Sequence, residues 1–280
     1  MRRFSCFAAV YLLVVASTVA FADGEKYLLK ERPAVGDVFR VSDSMTMSMT
    51  VKVTSKSVNQ EQNVSKVDKS EYKEDVVATD EHGPTNMLRS YTIAISQESD
   101  PGLPEKNTRH GYEGKTVRLV RTPAGKHATI SEGKLTPADE TELLGDLANK
   151  GSDELPAYAV AVGDSWVPDT KKMFGEPTMV VSSAKATFAE ITNFQGHKCA
   201  RIVLNCTLGS DPAAMGLAGE ITGEVLFALD INRVVSRKAE GPIKMENSVK
   251  ANGETIEMHG AGKINAVMTL TYLRVAGKAV

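Results

Sequence analysis

The sequence predicts a mainly β protein of α+β class: a large curved antiparallel sheet or open barrel, built from two related halves with one connecting helix. Three observations carry this. In the run 45–54, Met45, Met47, Met49, Val51 and Val53 alternate with Thr46, Ser48, Thr50, Lys52 and Thr54. That is the period of a half-buried antiparallel strand. Next, Ala34-Val35-Gly36-Asp37-Val38-Phe39 returns 127 residues later as Ala161-Val162-Gly163-Asp164-Ser165-Trp166, the mark of an internal repeat. Lastly, the segment from Leu135 stands out for its helix signals.

The chain has 280 residues, 33 Lys+Arg against 35 Asp+Glu, 42% hydrophobic and 24% charged residues. This is ordinary globular composition, and a net charge of −2 gives no electrostatic basis for binding nucleic acid. At the N-terminus, Arg2 and Arg3 precede an apolar run to about Val19, and Ala20-Phe21-Ala22 supplies a small-x-small cleavage site. Residues 1–22 are therefore expected to be a signal peptide. The run is short for a bilayer span of about 20 residues, so the mature chain is expected to be exported, periplasmic or secreted, without a transmembrane anchor.

Residues 23–134 form the first expected β module, 135–155 a helix and linker, and 156–280 the second module. Strand patterns recur at 88–96, 179–191, 197–208, 223–229 and 264–275, and Asn252-Gly253 signals a tight hairpin between 243–249 and 255–258. Gly114 and Gly223 each open an apolar strand followed by a turn and a second strand, now offset by 109 residues. The first half thus carries an extra stretch, for which the polar run 55–73 is the natural place. In the helix, Thr136 can cap, Pro137 suits the first position, and Asp139 and Glu140 suit the positive end of the helix dipole. Leu143, Leu144 and Leu147 form its apolar face, and Gly151 ends it.

The Gly-Asp-x-aromatic entries at Gly36 and Gly163, the alternating strands, and the hairpin opening Gly223-Glu-Val-Leu-Phe-Ala-Leu-Asp230 resemble an uncharacterised family of exported bacterial proteins. The resemblance covers mainly residues 26–121 and 156–241. It implies export and a sheet fold, and it brings no catalytic residues.

Few residues suggest chemistry. His82, His110, His127, His197 and His259 show no metal-ligand spacing, and read as solvated turn residues. Nucleophile-elbow, Walker and dinucleotide motifs are absent from the sequence. The segment 213–219 reads as a small-residue loop, and Asp153 and Glu154 as solvated linker charges. Asp37 and Asp164 would be a carboxylate pair only if the halves faced each other; turn-forming hydrogen bonds are the expected role. Cys206 falls on an apolar strand face, whereas Cys199 falls on the other face and is open to pairing with another molecule. The candidate ligand-binding residues are Met45, Met47, Met49, Val51 and Val53, a face that packs a core, lines an adaptable apolar cavity, or offers thioethers to copper. The leading expectation is a non-enzymatic binding protein holding an apolar small molecule or lipid, with no cofactor and no resident metal. The alternative is a structural or assembly protein of the cell envelope acting through sheet edges. A hydrolase with a fold-assembled site and a copper-handling protein stand behind these.

Overall fold

The computed structural model describes residues 24–81, 83–99, 104–148, 154–169, 180–209, 217–251, 254–276 and 278–279. The first half contributes β1 (Val38–Thr54), β2 (Asn59–Asp80), β3 (Gly83–Ser99), β4 (Lys106–Arg109), β5 (Thr116–Thr122), β6 (Gly125–Ile130) and the helix α1 (Pro137–Ala148). The second contributes β7 (Ser165–Trp166), β8 (Val180–Phe194), β9 (His197–Gly209), β10 (Leu217–Ala228), β11 (Arg233–Ala251), β12 (Glu254–Val275) and β13 (Lys278–Ala279). All thirteen strands join one sheet, in the order β6-β5-β3-β2-β1-β12-β11-β10-β9-β8-β7, with β4 on β3 and β13 on β12. Its described pairings are antiparallel. The path ends at β6 and β7, so the sheet is open and curved rather than a closed barrel.

Each half lays down five strands in the same spatial succession: β1-β2-β3-β5-β6 in the first, β7-β8-β9-β10-β11 in the second. The entry turns match bond for bond. Asp37 Oδ2 accepts from the Ala34 amide at 2.9 Å and Asp164 Oδ2 from the Ala161 amide at 2.8 Å. Gly36 donates to the Val76 carbonyl and Gly163 to that of Phe188, with φ of 88° and 96°, a left-handed conformation that glycine adopts without steric cost. The repeat offset falls from 127 residues at these turns to 112 at Val76 and Phe188. Most of the extra stretch therefore lies in the long β1–β2 hairpin, which includes 55–73.

Several expected elements need correction. The separate runs 255–258 and 264–275 are one strand, β12, and 243–249 belongs to the long β11. The intervening Gly260, Gly262 and Gly241 hide the apolar alternation without breaking the strand. Gly219, expected in a loop, lies in β10; residues 213–216, Asn252-Gly253, Asp153, Gly151, His82 and residues 1–23 lie outside those described.

Helix α1 starts as its sequence predicts. The Asp139 amide donates to Thr136 Oγ1 at 3.1 Å, and Thr136 Oγ1 donates to Asp139 Oδ2 at 2.8 Å, a reciprocal cap of the helix start. Burial pushes the Asp139 carboxyl up, but hydrogen bonds from Thr136 and His110 outweigh it and hold the group below its usual range. Leu143 is buried, and the helix packs against β5 and β6.

Three apolar clusters result. One joins both halves: Val41, Tyr72, Tyr91, Leu119 and Leu143 of the first pack with Cys199, Leu226, Val235, Leu270 and Tyr272 of the second. The second lies under the N-terminal segment and the linker before β7, where Leu29, Val160 and Trp166 cover Phe188, Ile202, Val225 and Phe227. The third is the subject of the next section.

Candidate functional site

Met45, Met47, Met49, Val51 and Val53 all project from the same side of β1, as the alternation predicts. The registers extend that side across the sheet. Met49 stands opposite Gly262, Gly262 opposite Ile243, Ile243 opposite Gly219, and Gly219 opposite Leu208. The resulting cluster contains Met49, Val51, Ala184, Cys206, Leu208, Ile221 and Ile243, ringed by partly buried Met47, Val53, Val64, Leu217, Met245, Met258 and Ile264. Every member comes from a strand of the sheet. Neither α1 nor the N-terminal segment contributes to it. The reverse side is polar and exposed, with Thr46, Ser48, Thr50 and Lys52 on β1 and Glu257, His259 and Lys263 on β12.

Glycines bend the sheet toward the apolar side. A Cβ on Gly262 would stand 2.0 Å from the Ser48 carbonyl oxygen, and one on Gly219 2.3 Å from that of Pro242. Such distances mean that neighbouring backbones lean over this face, a curvature only glycine tolerates. Pro242 lacks an N–H. In its stretch the β10–β11 register passes from Gly219↔Ile243 to Thr222↔Glu240 with no pairs between, which loosens the ladder at the bend. Gly260 makes room for a side chain instead: its missing Cβ would meet Met49 Sδ at 2.5 Å. Met49 is thus buried by lying along the sheet.

The apolar face is bounded by a charged group that the sequence reading missed. Arg237 Nε donates to Glu154 Oε1 at 2.8 Å, and its guanidinium lies 3.9 Å from Glu31. Glu31 also accepts from the Val234 amide at 2.9 Å. Burial works against the Arg237 charge, but Glu154 and Glu31 outweigh it and raise its pKa. Glu154 is therefore a buried ion-pair partner, not a solvated linker charge, because the linker is drawn down onto the sheet by Leu155 and Val160. Nearby, Asp37 and Arg233 form an ion pair with side chains 1% and 5% exposed, and Asp37 Oδ1 accepts from the Ala276 amide at 2.6 Å. Asp164 is exposed. The two aspartates shape equivalent turns, and only Asp37 ties the halves together. Tyr272, beside this network, is held well above its usual pKa by burial and by Glu31.

Two histidines depart from expectation. His197 is buried and pairs with Asp230 at 2.8 Å; His110 lies 3.3 Å from both Asp139 and Glu142 and stacks on Tyr112. His127 and His259 are exposed, as expected. Cys199 is fully buried and free, so it cannot reach another molecule; the first half packs over the face that sequence alone left open. Burial pushes its thiol up to about 11, and the Asp230 charge adds to this. An unreactive neutral thiol beside His197 does not make a nucleophile. A small cleft is lined by Leu88, Thr116, Arg118 and Ile130. Among the described residues, no helix is long and apolar enough to cross a membrane.

No protein-family model and no curated protein matches the chain. Among solved structures, one of lipid–protein interactions in lipovitellin matches with a TM-score of 0.42 and 8% identity over 90% of this chain. That match takes in 27% of the lipovitellin chain, so this protein spans about a quarter of its length. A DUF1329 family protein from Desulfovibrio piger matches with a TM-score of 0.15 and 10% identity, over 82% of this chain and 83% of its own.

Proposed function

We propose that this is an exported, non-enzymatic binding protein that holds an apolar ligand, a lipid acyl chain in the first instance, along the concave side of its sheet. The observation that carries the reading is the cluster around Met49 and Ile243, to which, among the described residues, only strands of the sheet contribute, with a partly exposed margin at Met47, Met245 and Met258. Sheets normally bury an apolar face against a second layer, and an apolar concavity with an open margin marks a ligand or partner site. Methionine suits the task, being flexible and polarisable enough to conform to chains of different shape. Seating an acyl chain gains about 0.8 kcal/mol per buried methylene, so even partial insertion gives measurable retention.

The alternative, assembly through sheet edges, draws less support. The terminal strand β6 has only 6 residues, and short edges are how sheets avoid pairing with other chains; at the other end β7 covers only Ala186 and Thr187 of β8. The test is to strip the purified protein of lipid, incubate it with a total lipid extract, repurify it and identify bound species by mass spectrometry. Retained lipid is the expected result, and lipid-free recovery contradicts the reading.

A further inference from the structure

The N-terminal segment and the linker before β7 form a strap across the sheet beside the open apolar face. Tyr27 and Val160 exchange backbone hydrogen bonds of 2.8 and 2.9 Å. Leu29, Val160 and Trp166 turn inward from the strap and β7 into one cluster. What faces outward is unusual for a segment so well anchored. Leu28 is 45% exposed, Tyr158 58%, Val162 47% and, just after β7, Val167 80%. Interleaved with Leu28 on the outer side of the N-terminal segment are Lys26, Lys30 and Arg32, all exposed. Among the described residues none of these three bases makes an ion pair.

Of the acids in the same region, Glu31 and Glu154 turn inward to Arg237. Asp164 accepts from the Ala161 amide and Glu25 from the Tyr27 hydroxyl at 2.5 Å, bonds to neutral donors that leave both carboxylates charged and exposed. On the N-terminal segment Lys26, Lys30 and Arg32 still outnumber Glu25, so the outer surface combines projecting apolar side chains with an excess of bases. That is the pairing of signals that gives stable attachment to a membrane surface, since neither suffices alone.

We propose that the strap is a docking surface for an anionic lipid bilayer, with Leu28, Tyr158, Val162 and Val167 entering the headgroup region and Lys26, Lys30 and Arg32 meeting lipid phosphates. Docking there sets the open apolar face beside the source of its ligand. The proposal extends the carrier reading, but its readout is separate.

The processed protein, its new N-terminus verified, is sedimented with vesicles of phosphatidylglycerol and phosphatidylcholine and with vesicles of phosphatidylcholine alone. Binding to the anionic vesicles, lost in high salt, is expected. At about 1 kcal/mol per basic residue near the surface, the triple variant Lys26→Gln, Lys30→Gln, Arg32→Gln weakens it by about a hundred-fold, and Val167→Ser with Leu28→Ser weakens it further. These side chains are exposed, and an unchanged melting temperature verifies folding. Equal binding to both vesicle types, wild-type binding by the triple variant, or absence of vesicle binding each overturns the proposal. Lipid uptake from detergent micelles is measured in parallel. Uptake without docking removes this inference alone, and docking without uptake removes the carrier reading alone.

Discussion

At Gly262 the path of two strands depends on a hydrogen standing where any other residue has a carbon. Because the added Cβ would strike the Ser48 carbonyl and the Met49 Cα, Gly262→Ala has no flexible side chain to displace; β1 itself must shift. The expected cost is about 1–3 kcal/mol, in the range of core overpacking, seen as a lower urea midpoint. Gly145 is the control. It lies in α1 with open space around its Cβ position, so Gly145→Ala should gain roughly 0.5–1 kcal/mol from helix propensity. Cys199 gives a pH test. Its pKa is raised in the fold, from about 9.0 to about 11. Its contribution is therefore fully present below the unfolded value and is lost as pH rises through the folded one. Stability should fall between pH 9 and 11, and Cys199→Ala should flatten that decline. An unchanged decline in the variant would assign it to other groups.

Among the elements, α1 and β1 were the most legible, because each carries its whole pattern locally. Thr136, Pro137 and Asp139 announce the helix start, and the cap forms with those residues. Thr136→Ala should cost about 1 kcal/mol. Asp139 has a lowered pKa, so the stability that its carboxylate contributes is present above the usual carboxylate range and is lost as pH falls through the depressed value. In acid the difference between Thr136→Ala and wild type should therefore shrink without vanishing, because the bond from the Asp139 amide to Thr136 Oγ1 does not titrate; equal differences at neutral and acid pH would contradict the carboxylate's part in the cap. The strands β11 and β12 were only partly legible. Positions 256, 258, 260, 262, 264 and 266 of β12 share one face, but two are Gly and one is Ala. A hydrophobicity pattern reads such residues as a gap, whereas the sheet uses them as the bend. β2 was missed because its inner face carries Gln62, Lys66 and Asp68 among apolar residues, which blurs the alternation.

For the whole molecule, the repeat was visible in six residues at each entry turn, and those turns proved to share the same hydrogen bonds. The charged clasp between the halves was not visible. Asp37 and Arg233 are 196 residues apart, and nothing local distinguishes them from a turn aspartate and a surface arginine. The same holds for Glu154 and Arg237, whose pairing exists only because the linker folds down onto the sheet. One wall of the third cluster, Met47 to Val53, was legible as a ladder of methionine and valine; Met45, of the same ladder, lies outside that cluster. Its other walls, on β8 to β12, come from pairing partners that only topology brings together. The molecule is a long sheet, bent by glycine, with one apolar stretch covered by its own strap and another formed, among the described residues, by strands of the sheet alone.

This second stretch is tested most directly by comparing lipid retained by wild type with that retained by Met47→Asp, Met258→Asp after exposure to the same extract. Both side chains are partly exposed on the concave face, so the variant should fold, as its circular dichroism can verify. The account predicts lipid bound in stoichiometric amount by the wild type and lost from the variant. Equal retention by both proteins, or none by either, would contradict it.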